Sequence, residues 1–98
     1  MTIETKKNNE TLTMAVAGRL DTSTAPQLEK VVDEEVKDIQ QLVMDFANLE
    51  YVSSAGLRVI LRAQKKMNML GSMKICNVNE TIMEVFEITG FADILNIE

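Results

Sequence analysis

No histidine occurs among the 98 residues. The side chain that most often serves as a general base near neutral pH, and most often ligates metals, is therefore missing, and with it any Ser-His-Asp arrangement. Cysteine is almost absent too. Cys76 stands alone, so no internal disulfide can form, and its apolar neighbours suit a small buried hydrophobe better than a reactive thiol. Only carboxylates remain to hold a metal. Glu29, Asp33, Glu34, Glu35, Glu84 and Glu87 recur at the spacing of outer helix faces, which assigns them to solvation. Four glycines are scattered singly, and neither G-x-G-x-x-G nor a Walker P-loop is present to cradle a phosphate. Ser54 also lacks the nucleophile elbow, because Val52 fills the place of its first glycine, although Gly56 fits the second. These absences argue against an enzyme and imply neither metal nor cofactor.

Long apolar runs are missing as well. No stretch of about 18 apolar residues could cross a membrane, and the amino terminus has no basic-then-apolar signal pattern. Ten basic against fifteen acidic residues give a net charge of −5 and a pI near 4.7. That balance disfavours nonspecific binding to nucleic acid or to anionic lipid, since both need clustered Lys and Arg. The expectation is a soluble, cytoplasmic protein with no membrane insertion and no direct nucleic-acid contact, in which any role in transcription passes through a protein partner.

What is present is enough apolar material, 46% of the chain, for one domain spanning residues 1–98. No internal repeat, low-complexity stretch or linker divides it. Ile3–Lys6 and Leu12–Leu20 flank a polar Lys7–Glu10 turn and predict an antiparallel hairpin, with Leu12, Met14, Val16, Gly18 and Leu20 on one face. Thr24 and Gln27 are spaced as a capping box, with Pro26 in the first turn, for a helix running to about Lys37. Its apolar stripe is Leu28, Val31, Val32, Val36 and Ile39. Leu42–Phe46 is a nearly continuous apolar run, expected as a central strand buried on both faces. A connection from Ala47 to Val52 leads to a helix from Ser54 to about Met69, with Leu57, Ile60, Leu61, Ala63 and Met67 inward and Gly71 as its stop. Met73–Val78 predicts another strand, Asn79 caps a helix ending at Thr89 and Gly90, and the tail Phe91–Ile97 is apolar enough to dock. The resulting fold class is α/β: a mostly parallel four- to five-stranded sheet with an antiparallel edge strand and helices packed against it.

The segment Tyr51-Val52-Ser53-Ser54-Ala55-Gly56-Leu57 sets two hydroxyls where a loop becomes a helix. Unpaired N–H groups and the positive end of the helix dipole meet there, so Ser53 or Ser54 can cap the helix, and a phosphate on either would be held. On the same helix Arg58, Arg62 and Lys65 align as a basic stripe, which most simply is a solvated face. Among the seven methionines, Met14, Met44, Met67 and Met73 fall at inward positions as core filling, whereas Met69 and Met83 are expected to be exposed. Asp45 ends a strand as the phosphoacceptor of a receiver domain does. The acidic pair such a domain needs after its first strand is missing, so Asp45 is assigned to local backbone bonds.

Gly18-Arg19-Leu20-Asp21 before a Thr/Ser-rich helix start, the Leu42–Phe46 strand, Tyr51–Leu57 opening a helix with Val59-Ile60-Leu61, and the late Ile88-Thr89-Gly90-Phe91 together resemble the STAS domain family across nearly the whole chain. Within it the chain is most similar to standalone anti-sigma factor antagonists. The frequent family pattern is Asp-Ser-(Ser or Thr)-Gly-Leu, in which the serine two places before glycine is phosphorylated by a partner that is both serine kinase and anti-sigma factor. That place is Ser54; Ser53 stands where aspartate is usual and is a rival acceptor, and Ala55 replaces the second hydroxyl residue. The resemblance implies that the unmodified protein docks on the anti-sigma factor and releases the sigma factor, that phosphorylation of Ser54 ends docking, and that a PP2C-type phosphatase resets the site. Asp21, Thr22, Ser23, Ser53, Ser54, Gly56 and Arg58 are the implied partner-binding residues. The same fold also suits a STAS module of a stress-signalling scaffold or of a membrane transporter complex.

Overall fold

Leu12, Met14, Val16 and Leu20 are buried while the residues between them keep some exposure, so the longest strand turns one face to the core. The computed structural model describes residues 1–98. Its elements are strands β1 (Thr2–Asn8) and β2 (Thr11–Leu20), helix α1 (Ala25–Glu35), strands β3 (Gln41–Asp45) and β4 (Leu49–Val52), helix α2 (Ser54–Leu70), strand β5 (Ser72–Cys76), helix α3 (Glu80–Thr89) and a 3-10 turn at Phe91–Asp93. The hairpin β1–β2 is antiparallel and closes at Asn9, whose φ of 57° suits an Asn in a tight turn. β2, β3 and β5 follow in parallel, giving the order β1-β2-β3-β5, while β4 pairs with the last residues of β2. Antiparallel edge and parallel centre are as the alternation of helices and strands predicts. The tail adds to the far edge, where Ile97 bridges to Ile75 in parallel.

Burial on both faces of β3 is not observed. Leu42, Met44 and Phe46 are buried, but Val43 and Asp45 stay half-exposed, as do Thr13 and Ala15 on β2 and Lys74 on β5. The sheet therefore has a core face and a partly wet face. Apolar stripes from α1, α2 and α3 join the core face in one cluster of 24 buried side chains, and no polar side chain is buried in it.

Local corrections follow from where the helices lie. On α2 the inward set is Leu57, Val59, Ile60, Ala63 and Met67, and Leu61 moves to a half-exposed flank. The four core methionines are all buried and Met69 is 89% exposed, whereas Met83 packs partly against the core rather than facing water. Cys76 is half-buried on the wetter face of the sheet, and desolvation, with Asp45 nearby, pushes its thiol pKa up. That shift favours the thiol over the thiolate. Asp45 accepts from the Ala47 N–H and the Asn77 amide, each at 3.0 Å, which is the local role expected for it.

The connection expected between Ala47 and Val52 contains a strand. Leu49 and Val52 are buried while Glu50 and Tyr51 are exposed, so no period of two marks β4; it extends because the end of β2 offers it a ladder. Gly18 allows that second pairing. Its φ of 96° permits the register shift between Gly18 and Arg19, a bend that a side chain would strain. Ile60→Ala, at a fully buried position, is expected to cost about 2–5 kcal/mol in urea unfolding. Met69→Ala should remain within about 0.5 kcal/mol of the parent protein.

Candidate functional site

Leu20 ends β2 and Val52 ends β4 side by side, and the Ser53 N–H donates to the Leu20 carbonyl at 2.9 Å. Parallel strands finish at the same edge of a sheet, so the segments that follow them begin together. The Asp21–Thr24 loop and the Ser53–Ser54 junction, thirty residues apart in the chain, thus become neighbours.

Ser53 is the N-cap of α2. Its backbone is extended, and its Oγ accepts from the Gly56 N–H at 3.3 Å, while its carbonyl takes the Leu57 N–H at 2.9 Å. Ser54 is the first helical residue and is exposed. Its hydroxyl has no hydrogen bond, and the leading N–H groups of the helix have no acceptor within it. The two serines therefore differ: one hydroxyl is engaged by the fold and the other is free.

Asp21 organises the neighbouring loop. Its Oδ1 accepts from Ser23 Oγ at 2.7 Å, Ser23 N at 3.0 Å and Thr24 N at 3.2 Å, and its carbonyl takes the Ala25 N–H at 2.7 Å. The Ser23 hydroxyl foremost, aided by these N–H groups, holds the Asp21 carboxyl below the usual carboxylate range. Here the expected capping box gives way. Thr24 makes no side-chain cap bond to α1; its Oγ1 instead donates to the Arg19 carbonyl at 2.7 Å and accepts from the Asp21 N–H at 2.8 Å. Asp21, three places earlier, has already taken the Thr24 N–H that Gln27 would have needed.

Thr22 and Ser23 are exposed. Thr22, Ala25 and Pro26 face Ala55, Arg58 and Val59 across a hollow of about 210 Å³ between the starts of α1 and α2. Arg58 is exposed, one turn beyond Ser54. Gly56 is unlike the rest of the expected set because it is buried. A Cβ built on it would lie 2.6 Å from Leu20 Cγ and 3.0 Å from the Leu20 carbonyl oxygen, so Gly56 lets α2 close on the end of β2 instead of offering a contact outward.

Sequence reasoning missed Arg19 and Tyr51. The Arg19 guanidinium lies 4.2 Å from the Tyr51 ring centroid, and its Nε is 3.8 Å from Asp21 Oδ2. The signal was the pairing of β2 with β4, which sets Arg19 opposite Tyr51; with β4 unassigned it was invisible. Tyr51, 40% exposed, adds an aromatic surface of the kind common in protein contacts.

Three substitutions separate these roles in denaturant unfolding. Ser53→Ala removes the cap and should cost about 0.5–2 kcal/mol, Ser54→Ala should change stability by less than about 0.5 kcal/mol, and Gly56→Ala should cost about 1–3 kcal/mol through overpacking. A depressed carboxyl pKa contributes stability above the unfolded value and loses it as pH falls through the folded one. Asp21→Asn should therefore be less stable than the parent protein at neutral pH, with the gap narrowing below about pH 4, near the ordinary carboxylate value.

The chain is similar to known proteins along almost its whole length. The family model described as "STAS domain" matches residues 2–98. The chain is 36% identical over 85 residues to BtrV of Bordetella bronchiseptica, named as a candidate anti-sigma factor antagonist, covering 85% of this chain and 73% of that one. It is 30% identical over 99 residues to the anti-sigma-B factor antagonist of Staphylococcus epidermidis, covering 99% and 92%. Among solved structures, an anti-sigma factor antagonist from Mycobacterium paratuberculosis superposes with a TM-score of 0.89 at 22% identity, over 98% of this chain and 83% of that one. With a family-model match over residues 2–98 and a relative 30% identical over nearly its whole length, the chain belongs to the STAS domain family.

Proposed function

We propose that the protein is an anti-sigma factor antagonist that docks on a serine-kinase anti-sigma factor through the ends of β2 and β4, and that phosphorylation of Ser54 abolishes docking. The observation that carries this reading is the division between the two serines. Ser53 Oγ is engaged by the Gly56 N–H, whereas Ser54 is exposed at the first position of α2. A kinase modifying Ser53 would have to break the helix cap, while one modifying Ser54 would not.

The unmodified surface consists of Ser54, the Asp21–Ser23 loop, Arg58 and the exposed Tyr51 with Arg19 over it. Phosphorylation adds about −1.5 to −2 charges at its centre. Within the domain that charge is accommodated, because the free N–H groups and dipole at the start of α2 favour an anion. In the partner contact it is not, since an apolar or acidic surface pressed against it would have to desolvate or repel the dianion. The switch therefore needs no change of fold. A PP2C-type phosphatase would return the hydroxyl and with it the docking surface.

Relatives named as anti-sigma factor antagonists support the partner class, the 30% identical staphylococcal protein over nearly the full length. The replacement of the usual aspartate by Ser53 fits this chain's own cap, as serine and aspartate are interchangeable at that position of a helix. Titration of the purified anti-sigma factor should find Ser54→Ala binding as the parent protein does, and Ser54→Asp weakened about a hundredfold, a difference of about 2.8 kcal/mol. Mass spectrometry after incubation with ATP and that kinase should find the label on Ser54 and not Ser53. Equal affinity of the two variants, or a label on Ser53, would reject the switch.

A further inference from the structure

Helix α2 carries four of the chain's ten basic residues and none of its fifteen acidic ones. They fall into two rows. Toward α1, Arg62 makes a two-point bond to Asp33 at 2.8 and 3.2 Å, and Lys66 reaches the same carboxylate at 3.9 Å and the Val32 carbonyl at 3.4 Å. That row is part of the α1–α2 packing: Arg62 holds the Asp33 carboxyl below its usual range, and Asp33 in turn raises the guanidinium pKa. In the outer row Arg58 and Lys65 are exposed, Arg58 also lining the hollow toward the start of α1, and no carboxylate lies within ion-pair distance of either.

The outer row is not simply polar. Leu61 sits between Arg58 and Lys65, half-exposed, and Met69 follows one turn later at 89% exposure. These side chains, with Arg62 and Lys66 behind them, line a shallow groove of about 600 Å³. A second hollow of about 340 Å³, bounded on its other side by Val36, Lys37 and Asp38, shares Lys66 and Met69 and carries the groove on to Leu70, 39% exposed. From Arg58 to Met69 the ridge spans about 16 Å at the rise of an α-helix, three turns of apolar side chains alternating with unpaired cations.

We propose that this outer face of α2 is a docking groove for an acidic amphipathic helix of a partner protein, adjoining the serine switch at the start of α2 and sharing only Arg58 with it. Charge complementarity selects the occupant: the groove is basic on a chain whose net charge is −5, so an acidic segment is attracted to this face and repelled by the rest of the surface. The apolar side chains select its second property. Leu61, Met69 and Leu70 would remain wet against a phosphate backbone, but meet bulky apolar residues on one face of an amphipathic helix. With only two unpaired cations, a nucleic acid or an anionic lipid surface gains little here.

The full-length protein, labelled with 15N, is titrated with an amidated helical peptide built of Glu and Leu with leucine on one face, and with its Lys/Leu counterpart. The expected result is a set of amide shifts confined to Arg58–Leu70 with the Glu/Leu peptide, absent with the Lys/Leu peptide, and weakened by raising salt from about 50 to about 500 mM. Charge reversal at Lys65→Glu and insertion of charge at Met69→Glu, both at exposed positions, should each lower the affinity at least about tenfold while leaving the thermal midpoint unchanged. Ser54→Ala should bind the peptide as the parent protein does, so the outcome does not hinge on the switch. Equal binding of both peptides, shifts elsewhere on the domain, or unaltered affinity in the two variants would overturn the proposal. It would equally be overturned by cosedimentation with phosphatidylserine vesicles that is lost in Lys65→Glu, or by self-association in sedimentation velocity lost in that variant, since these would give the face to a membrane or to a second copy of the chain.

Discussion

The contact between α2 and the end of β2 fixes most of what distinguishes this surface. Leu20 is wholly buried, its carbonyl takes the Ser53 N–H, and its side chain fills the space that only a glycine at position 56 leaves. With that approach in place, the helix begins at the edge where β2 turns into the Asp21 loop. Two stretches distant in sequence then share one exposed rim. A side chain at position 56 would push the helix start outward, and the two parts of the rim would separate.

Rigidity at this rim comes from bonds that are local and mostly to the backbone. Asp21 binds the N–H groups and hydroxyl of its own loop, Thr24 ties that loop to the Arg19 carbonyl, and Ser53 closes the first turn of α2. The bonds rest on a close-packed cluster of buried side chains beneath the rim. Along α2 the same helix uses its cations in two ways. Arg62 and Lys66 serve the α1–α2 contact, while Arg58 and Lys65 remain open to solvent.

Sequence periodicity was a good guide wherever a long element buried one regular face. The caps at Asn79 and Ser53, the helix of seventeen residues from Ser54 to Leu70 and the hairpin at Asn9–Glu10 all follow from local chemistry. It misled where a neighbour decided. Leu61 and Val59 exchange roles because the packing angle of α2 on the sheet, which no residue of α2 encodes by itself, sets the width of its buried stripe. Thr24 stays at the N-cap of α1 but gives no side-chain cap, because its hydroxyl is turned to the Arg19 carbonyl and the Asp21 N–H while the Asp21 carboxylate takes the Thr24 N–H. β4 escaped notice since four residues without alternation become a strand only when a ladder is offered.

The chain by itself determined the class of fold, the order of its elements apart from β4, the pair of hydroxyls at a helix start and the exclusion of histidine chemistry, because these depend on residue type and spacing alone. Tertiary structure decided that Gly56 lets α2 close on the end of β2, that Arg19 stacks on Tyr51, and which cations of α2 are already paired. Each of these is a matter of proximity between segments remote in sequence, and proximity is set by how parallel strands finish at a common edge and how closely a helix can settle upon it.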